Sequence, residues 1–178
     1  ALWATPTGAH TGVLGALAPF LDDADVLVGG STTWGIVLAE GGTFYRVCDE
    51  APGMAATFHL RVGERVLVGG SPGLLATDAR GCSYAARNLA GATDATAAVL
   101  AGGRVYVATG RPGYPNAVFR SDDDGLTFQA TALSGTASPL WELAAAPDGS
   151  LLVVSGDDLD LERPLLAATS DSGASFYA

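Results

Sequence analysis

The sequence predicts an all-β protein, a β-propeller built of four-stranded antiparallel blades, with four blades in this chain. Three observations predict this fold. The 24 glycines and nine prolines are spread along the 178 residues, which is typical of short strands joined by tight turns. A turn motif recurs four times at intervals of about 40 to 48 residues, and an apolar run rich in β-branched residues recurs in step with it.

The turn motif is an eight-residue box with the pattern Ser/Thr-x-Asp-x-Gly-x-Ser/Thr-aromatic. It is complete at 121–128 and at 169–176. The copy at 77–84 has Ala79 in place of the Asp, and the copy at 37–44 keeps only the Gly, the hydroxyl residue and the aromatic residue. The residues predicted to shape the two complete turns are Asp123, Gly125, Thr127, Phe128, Asp171, Gly173, Ser175 and Phe176.

Turn chemistry accounts for every position of the box. An Asp accepts backbone N–H groups, a Gly takes a positive φ, and the aromatic side chain enters the blade core, so the box joins the third strand to the fourth. The apolar runs, which predict the second strand of each blade, are Val26–Gly30, Val66–Gly70, Val105–Thr109 and Leu151–Ser155. In the third unit the four strands are predicted at Ala97–Ala101, Arg104–Thr109, Ala117–Ser121 and Thr127–Leu133.

The repeats assign residues 1–178 to a single propeller domain or arc. Its blades are predicted at about 13–48, 57–88, 95–133 and 140–178. Four blades either close a small ring or form part of a larger propeller. An open arc exposes two apolar blade faces, which predicts association with another chain through those faces.

The box pattern resembles the Asp-box repeats, also called BNR repeats, of sialidases, sortilin-type receptors and secreted bacterial propellers. The run at 46–51, together with Gly73-Leu74-Leu75 and the segment 81–84, is similar to secreted Asp-box proteins of myxobacteria. This resemblance implies a propeller fold, a structural role for the box, and a secreted, periplasmic or cell-surface location. It implies no particular activity.

The two cysteines lie one repeat apart, Cys48 after the first unit and Cys82 inside the second box. Neighbouring blades can bring them together, so a disulfide and an oxidising compartment are predicted. The alternative is a pair of unrelated buried thiols. Neither cysteine has the spacing of a zinc, redox or haem motif.

The charge of the chain excludes nucleic acid as a partner. The chain has nineteen acidic residues and nine arginines, and its formal net charge of −10 repels phosphate backbones. No run approaches the ~20 consecutive apolar residues that span a bilayer, so no membrane span is predicted.

The sequence offers no convincing catalytic residue. The Phe-Arg-Ile-Pro motif of sialidases is missing, and His10 and His59 lack a neighbouring nucleophile motif, which favours surface or hydrogen-bonded histidines. No cofactor is predicted apart from calcium. The acidic run at 157–162 contains four candidate oxygen ligands for it: Asp157, Asp158, Asp160 and Glu162. A simple solvated loop is the alternative for this run.

The loop at 109–116 holds the best binding candidates, Arg111 and Tyr114, and can share one propeller face with the acidic run. Trp34 and Trp141 are expected to pack between blades. The predicted function is a secreted, non-enzymatic binding or assembly module with a protein or a glycan as partner. The alternative is a glycosidase-like or lyase-like enzyme whose active site is completed outside this chain.

Overall fold

A computed structural model describes residues 20–21, 26–31, 35–40, 43–47, 54–63, 65–78, 83–157 and 165–177. These residues form β-strands, turns and loops and include no helix. Within the same ranges, nothing has the length and apolarity of a membrane-crossing helix.

The described residues contain fifteen strands, which form four antiparallel sheets that follow one another along the chain. Sheet I consists of β1 (Phe20–Leu21), β2 (Val26–Ser31), β3 (Gly35–Glu40) and β4 (Thr43–Val47). Sheet II consists of β5 (Ala55–Val62), β6 (Arg65–Ser71), β7 (Gly73–Asp78) and β8 (Tyr84–Arg87). Sheet III consists of β9 (Ala95–Ala101), β10 (Arg104–Thr109), β11 (Asn116–Ser121) and β12 (Gln129–Thr136). Sheet IV consists of β13 (Leu140–Ala145), β14 (Leu152–Gly156) and β15 (Leu165–Thr169).

The strands of sheet III follow the sequence prediction except at the fourth strand. β10 has the predicted bounds, and β9 and β11 begin one or two residues early. β12 begins at Gln129 rather than Thr127, because the box turn holds Thr127 and Phe128 outside the ladder. In sheet IV the box is followed by a single bridge, in which Tyr177 pairs with Ala168.

Sheets II, III and IV pack against one another in order, and apolar cores lie between sheets II and III and between sheets III and IV. The core between sheets II and III includes Leu67, Val107 and Phe119, and Phe128 of the box packs against it. The core between sheets III and IV includes Tyr106 and Val154, with Phe176 at its margin. The two box phenylalanines therefore pack in the cores between neighbouring sheets and not within a single blade, as the sequence had suggested.

A β-bulge recurs in the first strand of each of the last three sheets. Ladder pairing skips Thr57 in β5, Thr96 in β9 and Trp141 in β13. The Thr57 hydroxyl donates to Ala95 O (2.6 Å), and the Thr96 hydroxyl donates to Leu140 O (2.5 Å). A bulge redirects a side chain away from the regular pleat, and here it aims a hydroxyl at the first strand of the next sheet.

The two complete boxes have the same hydrogen bonds. The Asp123 carboxylate accepts from Ser121 Oγ (2.7 Å), Thr127 N (2.9 Å) and Thr127 Oγ1 (2.6 Å). Asp171 accepts from Thr169 Oγ1 (2.6 Å), Ser175 N (2.9 Å) and Ser175 Oγ (2.5 Å). One carboxylate thus organises each turn through the hydroxyl residues at the first and seventh positions of the box.

Acid is expected to weaken both turns. The Thr127 hydroxyl, then the Thr127 amide and the Ser121 hydroxyl, lower the pKa of Asp123 to about 2, and the Ser175 hydroxyl and its other partners lower the pKa of Asp171 still further. A lowered folded-state pKa stabilises the fold above the ordinary carboxyl pKa of about 4, and this stabilisation is lost as the pH falls toward 2.

Thermal unfolding of the wild type between pH 5 and pH 2 should therefore show a falling melting temperature. The variant Asp123→Asn/Asp171→Asn should melt lower at pH 7 and show a shallower dependence on pH, because its turns hold no carboxylate to protonate. Glu142→Gln, on the exposed part of β13, is the control and should follow the wild type. An unchanged slope in the double variant would show that other carboxylates set the acid response.

Candidate functional site

The side chain of Asn116 fixes the shape of the loop between β10 and β11 through hydrogen bonds to the loop backbone. Asn116 is 1% exposed. Its Oδ1 accepts the Arg111 N–H (2.7 Å), and its Nδ2 donates to Arg111 O (3.1 Å) and Tyr114 O (2.9 Å). Loop residues that form a binding surface can therefore be held in place before a ligand arrives.

Arg111 and Tyr114, the predicted binding pair, are in direct contact on this loop. The Arg111 guanidinium lies 4.0 Å from the centroid of the Tyr114 ring, and its Nη1 donates to Thr93 Oγ1 (2.9 Å). Asp94 Oδ2 lies 3.8 Å from Arg111 Nε. Tyr114 is 49% exposed, so the ring is stacked and held while much of it faces solvent.

Trp141 lies beside this loop, and its position differs from the expected packing between blades. Trp141 is 39% exposed, and its Nε1 donates to Asp157 Oδ2 (2.6 Å). A methyl group in place of a Gly110 hydrogen would lie 3.1 Å from the Trp141 ring, so the ring is next to the start of the loop. Trp141 occupies the bulge position that holds a threonine in sheets II and III, and the bulge turns it outward.

These residues form one surface, which we call the loop face: Arg111, Tyr114, Trp141 and Asp157. It presents two exposed aromatic rings, a cation and a carboxylate. Asp94 adjoins it and has one carboxylate oxygen, Oδ1, that is buried without a hydrogen-bond partner. The loop face can therefore offer flat apolar surfaces and both signs of charge to a ligand.

Of the predicted calcium ligands, only Asp157 falls within the described residues, and it accepts the Trp141 hydrogen bond. Asp158, Asp160 and Glu162 lie outside them, as do Cys48, Cys82, Trp34 and His10. In the portion of the chain that the structure describes, no three His, Cys, Asp or Glu side chains are grouped to hold a metal ion. Calcium binding at the acidic run and the disulfide stay predictions.

His59 lies in β5 and is buried. Burial lowers its pKa to about 4, so the imidazole is neutral at neutral pH. His59 is therefore not one of the surface histidines that the sequence allowed.

Two arginines have a structural role that the sequence did not reveal. Arg104 Nε and Arg120 Nη2 pair with the two carboxylate oxygens of Asp122, at 2.8 and 2.9 Å. The same guanidinium groups donate to Ser172 Oγ (3.2 Å) and Ser172 O (3.1 Å) in the next box. These arginines therefore bind the box of sheet IV to sheet III. The sequence alone does not show this, because Ser172 lies 52 residues from Arg120 and 68 residues from Arg104.

The chain matches no protein-family model and no curated protein. It is similar in structure to the extracellular domain of a hybrid two-component system of B. thetaiotaomicron, with a TM-score of 0.62 and 12% identity. It is also similar to the GH74 enzyme of Niastella koreensis, with a TM-score of 0.58 and 16% identity. The similarity covers 89% and 86% of this chain but only 21% and 27% of those proteins, so the chain spans about a quarter of their length. At this identity the comparison shows a common β fold.

Proposed function

We propose that the chain belongs to an extracellular, propeller-type binding module of the Asp-box kind, and that it recognises a glycan through the loop face. The observation that carries the proposal is the placement of two exposed aromatic rings, Tyr114 and Trp141, beside a guanidinium and a carboxylate. The flat apolar side of a sugar ring packs on an aromatic ring, while charged groups bond its hydroxyls. Tyrosine, tryptophan and arginine are also the side chains that contribute most to binding surfaces.

The organisation of the loop face supports binding rather than a purely structural role. Arg111 and the Asn116 amide already hold the Tyr114 loop, so little conformational entropy is lost when a ligand binds. The structural neighbours, an extracellular domain and an enzyme, agree with a location that is secreted, periplasmic or at the cell surface.

Single substitutions on the loop face test the proposal. Affinity electrophoresis through gels containing a panel of plant and bacterial polysaccharides should retard the wild type in at least one gel. Tyr114→Ala and Trp141→Ala should each lower the affinity for that polysaccharide about 30-fold and so reduce the retardation, since removing a central aromatic contact costs about 2 kcal/mol or more. Leu126→Ala removes an exposed apolar side chain from the box turn at the opposite end of β11 and should bind like the wild type.

Two results would contradict glycan recognition by this face. One is retardation that both aromatic variants retain in full. The other is a loss of binding in Leu126→Ala that equals the loss in the aromatic variants, because it would place the ligand at the other end of the sheet.

A glycosidase-like enzyme is the second candidate. It is favoured by two carboxylates, Asp157 of the loop face and the adjoining Asp94, and by the similarity to a GH74 enzyme. Glycosidases use a pair of carboxyl groups. Release of reducing sugar from the retarding polysaccharide, abolished by Asp94→Asn or Asp157→Asn, would support the enzyme over the binding module.

A further inference from the structure

Trp141 and Asp157 form a fixed pair within the loop face. The indole Nε1 donates to Asp157 Oδ2 (2.6 Å), and the backbone N–H of Asp157 donates to Pro139 O (3.0 Å). The opposite edge of the ring lies against Gly110, where an added methyl group would come within 3.1 Å of Cζ3. The ring and the carboxylate are therefore held in place before a ligand arrives.

This pair offers a cation two attractive surfaces. The face of an aromatic ring attracts cations, and tryptophan does so most strongly. The hydrogen bond from Nε1 to a carboxylate raises the electron density of the ring, because hydrogen-bonded groups polarise one another. Asp157 is exposed, and its other oxygen, Oδ1, accepts no hydrogen bond from the described residues. A bound cation can therefore contact the ring and the carboxylate together.

Arg111, the cation of the loop face, does not occupy this pair. Its guanidinium stacks on Tyr114, 4.0 Å from the ring centroid, and its Nε lies 3.8 Å from Asp94 Oδ2. Among the residues that the structure describes, no guanidinium stacks on Trp141. A cation on the Trp141 ring has to come from a ligand.

The sequence on either side of the pair is acidic. Glu142 follows Trp141 and is exposed. Residues 158–164 follow Asp157 and lie outside the described residues, and they include three acidic residues and one arginine. The whole chain has a net charge of −10. These charges attract cationic ligands and repel anionic ones.

We propose that the Trp141–Asp157 pair binds the protonated amino group of a glucosamine unit, so that the loop face selects amino sugars among glycans. The ammonium group lies on the indole ring and donates to the Asp157 carboxylate, and Tyr114 stays available to stack on a sugar ring. A simple ammonium ligand would use one ring, whereas the loop face presents two exposed rings. The inference rests on glycan recognition by the loop face and names the class of sugar.

The test is isothermal titration calorimetry with the purified chain at a mildly acidic pH, where amino sugars are protonated. Cellotetraose, chitotetraose and the glucosamine tetramer share length and linkage. At one carbon of each ring they carry a hydroxyl, an acetamide and an ammonium group, respectively. The glucosamine tetramer should bind at least about tenfold more tightly than the other two, because only its ammonium group pairs with a ring face and a carboxylate.

Asp157→Asn is the most informative variant. Its amide oxygen can still accept from Trp141 Nε1, but the negative charge is lost. The preference for the glucosamine tetramer over cellotetraose should therefore fall to within about threefold. Asp124→Asn is the matched control, because Asp124 is exposed in the box turn at the opposite end of β11 and asparagine tolerates its φ of +56°. It removes the same charge and should retain the wild-type preference.

Equal affinity for the three tetramers would overturn the proposal. So would a full preference in Asp157→Asn, or a preference that Asp124→Asn loses to the same extent. Competition by tetralysine as strong as that by the glucosamine tetramer would also overturn it, since the site would then attract cations in general. If none of the tetramers binds, the amino-sugar site is refuted, and the polysaccharide gels show separately whether the loop face recognises another glycan.

Discussion

Leu67→Ala is expected to lower the free energy of unfolding by about 2–5 kcal/mol, the usual cost of a leucine-to-alanine cavity in a close-packed core. Leu67 is 0% exposed and belongs to the core between sheets II and III. A Cβ atom at Gly125 would lie 2.9 Å from its side chain, so the box of the third unit rests on Leu67. The substitution removes contacts that hold two sheets together.

Urea denaturation followed by tryptophan fluorescence measures this change, and the melting temperature should fall by about 2–4 °C for each kcal/mol. Leu67→Met keeps the volume and should cost less than about 1.5 kcal/mol. A loss below about 1 kcal/mol in Leu67→Ala would mean that sheets II and III do not depend on this core.

Gly102→Ala is expected to destabilise the chain by about 2–5 kcal/mol. Two effects contribute, a backbone cost and a steric clash. Gly102 has a φ of +55°, where an L side chain costs roughly 1–2 kcal/mol. Its Cβ would also lie 2.8 Å from Asp148 O in the first turn of sheet IV, and overpacking costs typically about 1–3 kcal/mol. Gly149 faces Gly102 across this contact, and a Cβ there would meet Gly102 Cα at 2.9 Å.

Gly103→Ala is the matched control. Gly103 also has a positive φ, +72°, but a Cβ there would have no atom within 4 Å, so only the backbone cost remains. Chemical denaturation gives the free energy of unfolding of each variant. The difference between the two values is the cost of the steric contact between sheets III and IV. Equal destabilisation in both variants would show that the turns of these sheets do not press on each other.

The periodic pattern of the sequence was sufficient to predict the four strands of sheet III to within three residues at each end. Val105 and Val107 alternate with other apolar residues in a strand buried on both faces, and such a strand is recognisable without its partners. The start of β12 was predicted two residues early. Thr127 has a residue type that favours strands, but its amide and hydroxyl both bond to Asp123 in the turn.

Contacts between distant residues were not predictable from a single sequence. Thr57 and Thr96 are ordinary strand residues in the sequence, and their bulges and their acceptors 38 and 44 residues away become visible only in the structure. The outward position of Trp141 depends on the same bulge. Large apolar side chains are usually buried, so the sequence favoured a packed Trp141.

The loop face was partly predictable. Arg111 and Tyr114 were identified because a loop rich in glycine and proline displayed them, and their spacing of three residues allows the stacking contact. The organising role of Asn116 was missed, although an asparagine at the end of a loop is a recognised sign of side-chain bonding to the backbone. The nearness of Trp141 to Gly110 depends on how two sheets stack, which the loop sequence does not encode.

The threonine hydroxyls of the bulges also determine how the protein would bear mechanical tension. Thr57 joins sheet II to sheet III, and Thr96 joins sheet III to sheet IV, so these bonds form consecutive links along the first strands. A force that pulls sheet II away from sheet IV passes through both links in turn, and the weaker of these two boundaries yields first while the other stays intact. Stretching should therefore detach whole sheets stepwise instead of unravelling the chain continuously.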